Sequence, residues 1–169
     1  ATTAKTDLAD AWNYAVGMDD SPDRNVAIAS IISGSDAKSL GDVATLVMQL
    51  PAGPAQLSAV SALSTSWLKS DSSAFNTWMA ALPQGDVQDA ALVQFSISPQ
   101  GVRHPLNAFN KANSITNPDL RATQVQVVLN TWAAKSPQSA LDAVATANLT
   151  AEQKATIVQT LTKNSAAGN

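Results

Sequence analysis

The sequence predicts an all-α fold, an α-solenoid of about five antiparallel helix pairs wound as a right-handed superhelix. Three observations carry this expectation. Apolar residues recur at helical spacing, that pattern recurs every 32–34 residues, and proline or capping residues punctuate the chain between the segments.

The repeat is read from an apolar residue just before each turn: Met18, Leu50, Leu82, Ile115 and Leu149. Ten residues after the first four come Ile28, Val60, Leu92 and Val125; thirteen after come Ile31, Leu63, Phe95 and Val128. Trp67 and Trp132 lie seventeen after the second and fourth, and Trp12 and Phe109 six before the first and fourth. Before the turns, Val43, Leu46, Val47 and Leu50 sit at i, i+3, i+4, i+7, as do Phe75, Trp78, Met79 and Leu82. That spacing lines one face of a helix. The units are expected at 7–34, 39–70, 71–99, 104–136 and 137–164, in one helical-repeat domain over residues 1–169.

The boundaries have local causes. Ser21-Pro22, His104-Pro105, Asn117-Pro118 and Ser136-Pro137 match an N-cap followed by proline at the first helical position, where the missing N–H costs nothing. Thr150-x-x-Gln153 matches a capping box. Leu50-Pro51 and Leu82-Pro83 end helices, because the residue before proline disfavours the α region. Gly34 and Pro99-Gln100-Gly101 are expected to break the chain between units.

Composition narrows the function classes. Charged residues make up only 14% against roughly 25% in average domains. Eighteen serines and fourteen threonines supply polarity instead. The ten basic residues are scattered and the net charge is −3, so nucleic acid is not an expected partner. No apolar run approaches a membrane span, so no membrane insertion is expected. The absence of cysteine excludes thiolate chemistry, disulfides and cysteine metal sites. A chain starting at Ala1 suggests a trimmed or processed form, and the Ser/Thr/Gln-rich surface suggests an extracytoplasmic bacterial protein.

The period resembles tetratricopeptide and HEAT-like repeats, although the Trp-x2-Leu-Gly-x2-Tyr pattern of the former occurs in no unit. The segment Asp71-Ser72-Ser73-Ala74-Phe75-Asn76-Thr77-Trp78-Met79-Ala80-Ala81-Leu82-Pro83 resembles Trp-containing helical repeats of uncharacterised bacterial proteins. The resemblance implies repeat architecture over residues 8–163 and no particular activity.

Candidate site residues are few. His104 is the single histidine that a Ser-His-Asp triad would need, but no Gly-x-Ser-x-Gly elbow accompanies it, and capping or solvent exposure is the simpler reading. Asp19, Asp20 and Asp23 cluster in the first turn as metal ligands or an acid/base pair would, yet acids at a helix start also satisfy the helix dipole. Asp86 and Asp89 have the same explanation. The four tryptophans and Tyr14 could stack on sugars, but the shared column of Trp67 and Trp132 points to core anchoring; Trp12 is expected to be the most exposed. Asn148-Leu149-Thr150 matches a glycosylation acceptor triplet.

Arg24, Gln56, Gln88 and Arg121 form a polar column near the start of each second helix, with Lys154 close to the equivalent place. Such a column could bind a partner or simply bond between turns. The expected function is a non-enzymatic protein- or peptide-binding module with no cofactor and no metal, using Arg24, Gln56, Gln88, Arg121 and Trp12. The competing expectation is a carbohydrate-active or carbohydrate-binding helical domain. Self-association is expected through an apolar surface at the N-terminal repeat, around Trp12 and Val16.

Overall fold

The computed structural model describes residues 2–19 and 21–167. These form eleven helices: α1 (Thr2–Val16), α2 (Pro22–Gly34), α3 (Leu40–Met48), α4 (Pro54–Ser70), α5 (Ser72–Ala81), α6 (Asp86–Ile97), α7 (Pro99–Arg103), α8 (Pro105–Asn113), α9 (Pro118–Ala133), α10 (Pro137–Thr146) and α11 (Ala151–Ala167). No strand occurs among the described residues. The fold is all-α, with helices packed against their chain neighbours, and is compatible with a helical repeat.

One backbone hydrogen bond closes the first helix of each pair. The N–H of Met18 donates to the Ala15 carbonyl at 3.3 Å, Leu50 to Val47 at 3.2 Å, Leu82 to Met79 at 3.3 Å, Ile115 to Ala112 at 3.3 Å and Ala147 to Val144 at 3.1 Å. Such i to i−3 bonds tighten a last turn and satisfy a carbonyl that the helix would otherwise leave open. The N-caps of α3, α5, α8 and α10 are Ser39, Asp71, His104 and Ser136, each eleven residues before its closing residue. The fifth closing residue is therefore Ala147, a correction to the Leu149 anchor, and the spacings become 32, 32, 33 and 32. Leu149 misled because it is the bulkier apolar residue nearby. Ala140 and Val144, seven and three before Ala147, are buried like their counterparts Phe75 and Met79.

The count of ten helices is also corrected. Trp67 and Trp132 stand seventeen residues past their closing residues, inside α4 and α9. The same position in the third pair is Pro99. Proline lacks the N–H and clashes with the preceding turn, so the helix cannot run through it. It stops at Ile97, and the next residues wind separately as α7. Ser98 serves both ends: its hydroxyl donates to the Phe95 carbonyl at 2.7 Å and accepts from the Gly101 N–H at 3.1 Å. Gly101 is pressed so closely on the Phe95 carbonyl that a Cβ would collide with its oxygen, so no larger residue fits without displacing backbone.

The chain divides into two compact units, Ala1–Leu82 and Pro83–Asn169, and the division falls between α5 and α6. In the first unit α1 packs on α2, α2 and α3 on α4, and α4 on α5. Its core includes Trp12, Ile28, Ile32, Val43, Val47, Val60, Leu63 and Phe75. In the second unit α9 is central, packing on α6, α8, α10 and α11, around Phe95, Phe109, Ile115, Val125, Leu129, Ile157 and Leu161. No helix among the described residues is long and apolar enough to cross a membrane.

The capping expectations hold to different depths. Ser21, His104, Asn117 and Ser136 are all N-caps followed by proline. The side chains of Ser21 and Asn117 accept first-turn N–H groups, whereas His104 and Ser136 make no such bond. The capping box is complete: Gln153 Oε1 accepts from the Thr150 N–H at 3.0 Å, and Thr150 Oγ1 accepts from the Gln153 N–H at 3.2 Å.

Candidate functional site

The polar column lies six residues past each closing residue. Two of its members spend their donors on the turn before them. Gln56 is buried, and its Nε2 donates to the Leu50 carbonyl at 3.1 Å and the Val47 carbonyl at 3.5 Å. Arg121 is half-buried; Nη1 donates to the Ile115 carbonyl at 2.8 Å, while Nε reaches the Asn148 carbonyl of the next turn at 2.9 Å. Arg24 and Gln88 are half-buried. With Ala147 as the closing residue, the fifth member is Gln153 rather than Lys154, whose Nζ donates to the Ala145 carbonyl at 2.9 Å. Long side chains recur here because the carbonyls ending one helix face the start of the next, and a donor six residues on can reach them.

Trp12 is buried, at 4% of its surface exposed, which corrects its expected exposure. Phe109, which likewise stands six residues before a closing residue, is buried too. The apolar side chains exposed near the end of α1 are Tyr14 and Val16. Trp67 is buried and Trp78 and Trp132 are half-buried. The Trp67 and Trp78 ring centroids lie 5.5 Å apart, and that of Phe75 lies 6.0 Å from Trp78, so the three rings form one cluster.

Asp19 and Asp23 are exposed, and Asp20 lies outside the described residues. No group of three or more metal-ligating side chains converges among the described residues. His104 is exposed at the start of α8.

Asp89 lies in the first turn of α6, as its sequence neighbourhood suggests, but its carboxylate also makes a long-range bridge. It is buried, and its carboxylate accepts the N–H groups of Thr116 at 2.7 Å and Asn117 at 2.9 Å, bridging α6 to the turn before α9. The partners lie 27 and 28 residues away, so no local pattern could show it. Ser96 and Gln124 bridge α6 to α9 itself at 3.1 Å.

Sequence reasoning also missed the surface around α7. A shallow depression there is lined by Arg103, His104, Pro105, Leu106, Asn107 and Asn110. Two other shallow grooves lie between α1 and α3 (Leu8, Ala9, Asp42, Thr45, Leu46) and between α9 and α11 (Ala122, Gln126, Glu152, Gln153, Thr156, Ile157). The signal that could have pointed to α7 was Pro99 in the tryptophan column. Compared with known proteins, the chain matches no family model, no curated protein and no solved structure.

Proposed function

We propose that this chain is a non-enzymatic helical-repeat module that binds a protein or peptide. The observation carrying this reading is the recurrence of one closing hydrogen bond at Met18, Leu50, Leu82, Ile115 and Ala147. Helices that recur every 32 or 33 residues and close in the same way are the local pattern on which repeat proteins build their binding surfaces. Shallow grooves lie between the first helices of two pairs, α1 and α3, and between the second helices of two others, α9 and α11. The inference runs from architecture to use and is tested as such.

Carbohydrate binding would call on tryptophan faces. Here Trp78 has Trp67 and Phe75 packed beside it, which favours the peptide reading. The test is to pan the intact chain against a display library of random peptides about twelve residues long, beside a glycan array. The expected result is enrichment of related peptides and no retained glycan. Retention of glycans without peptide enrichment would replace this reading with the carbohydrate one.

A further inference from the structure

The helix break at Pro99 gives the α7–α8 corner an unusual combination of properties. Ile97 is 50% exposed, Val102 36% and Leu106 58%, so three of the nine exposed large apolar side chains among the described residues fall within ten residues. Leu106 lines the depression together with Arg103, His104, Asn107 and Asn110. An exposed apolar side chain in a depression ringed by polar groups is a common mark of a binding surface.

Charge says what kind of partner fits. Residues 90–118 contain no carboxylate, in a chain with thirteen acidic residues, and their charged side chains are Arg103 and Lys111. Asp89, next to this stretch, is buried and engaged by two backbone N–H groups. Asp86 opens α6, at the opposite end of that helix from Ile97. The guanidinium of Arg103 is steadied by Gln100 Oε1 at 3.4 Å and keeps donors for the planar, two-point recognition of a carboxylate. α8 starts without a side-chain cap, so its first-turn N–H groups add to the same preference.

The corner is also pre-organised. Ser98 bonds both adjoining helices and Gly101 is packed on the Phe95 carbonyl, so α7 is fixed in place. Binding to a pre-formed surface loses less ordering entropy.

We infer that the α7–α8 corner docks an acidic peptide segment that also carries apolar side chains, with carboxylates on Arg103 and apolar groups on Val102 and Leu106. This rests on the peptide-binding reading above. The panning experiment separates the two: no enriched peptide of any kind sinks that reading, whereas enriched peptides without acidic residues sink only this site. The expected peptides combine glutamate or aspartate with leucine, isoleucine or phenylalanine. A synthetic copy of one is then titrated by fluorescence anisotropy against the full chain.

Arg103→Glu and Leu106→Asn each weaken binding about tenfold. Raising salt from about 50 to about 300 mM weakens it several-fold. The peptide's glutamine analogue no longer binds. Val26→Asn, altering a side chain 64% exposed on α2, leaves affinity unchanged. All three substitutions are at exposed positions, and an unchanged melting temperature shows that each variant is folded. Equal affinity for the glutamine analogue overturns the site, as does indifference to Arg103→Glu. So does sedimentation with phosphatidylserine vesicles that Arg103→Glu abolishes, which would assign the corner to a membrane surface.

Discussion

In the first unit and at its end, two turns carry Leu-Pro-Xaa-Gly, at Leu50–Gly53 and Leu82–Gly85. Gly53 and Gly85 have φ of +146° and +136°, a region that glycine occupies without a steric penalty. Gln56 stitches its own turn, and Trp67, Phe75 and Trp78 pack together on α4 and α5. In the second unit the turns are tied to neighbours further along the chain: Asp89 to Thr116 and Asn117, Arg121 to Asn148, and Asn113 Oδ1 to the Asn148 N–H at 2.6 Å. Leu57 and Asp89 stand seven residues past their closing residues, yet one is aliphatic and the other a buried carboxylate. Both units have apolar cores; the first adds an aromatic cluster and a glutamine bonded to its own turn, and the second adds polar bonds that reach the following turn. Length and closure are common to both; the chemistry of the joints is not.

That contrast is breakable, and the largest effect belongs to the aromatic cluster. Phe75 is fully buried, so Phe75→Ala costs about 4 kcal/mol, read as a lower urea midpoint. Hydrogen exchange should speed mainly in α3–α5. Equal loosening of all eleven helices would show that the two units are not separately held.

Next is the charged bridge. Asp89→Ala leaves two N–H groups without their acceptor and costs about 2 kcal/mol. Its exchange signature should centre on the turn before α9. A smaller loss than that from Leu57→Ala, at the same register in the first unit, would count against the comparison.

Ser64 and Ser96 sharpen it, since both stand fourteen residues past a closing residue and both are buried. Ser64 Oγ has no hydrogen-bond partner, whereas the Ser96 hydroxyl donates its one hydrogen between the Val93 carbonyl at 2.8 Å and Gln124 Oε1 at 3.1 Å. Ser64→Ala should stabilise by roughly 0.5–1 kcal/mol and Ser96→Ala destabilise by about 1 kcal/mol. Shifts of the same sign in thermal melts would refute the contrast.

The smallest effect is one of pH. Burial pushes the Lys111 ammonium below its usual 10.5, while the Phe95 ring beneath it, 4.9 Å from Nζ, works in the opposite direction. A lysine with a depressed folded pKa destabilises the fold while charged, and this penalty fades as pH rises through the folded value toward 10.5. Stability should therefore rise slightly with pH in that alkaline window, and Lys111→Met should remove the rise.

Much of this fold is legible without coordinates, because it rests on local rules. Helical periodicity, proline after an N-cap and the Thr150–Gln153 box each involve residues within about a turn of one another, so the sequence shows them directly. The near-32-residue spacing is visible for the same reason, since each unit repeats those rules. The polar column at Arg24, Gln56, Gln88 and Arg121 is visible as a pattern. The bonds of Gln56 and Arg121 to turn carbonyls are not, because a side chain's partner depends on where two helices meet.

Tertiary structure alone decided the rest. It placed the fifth closing residue at Ala147 rather than Leu149, since the last turn of α10 closes on the Ala147 N–H, eleven residues after the Ser136 N-cap. It buried Trp12, and it gave Asp89, a helix-start acid, a bridge across 27 residues of chain. It made α7 out of a proline that reads only as a breaker. The course of the chain beyond a broken helix depends on the surface its released residues can pack against, and here Gly101 fits where any side chain would collide with the Phe95 carbonyl.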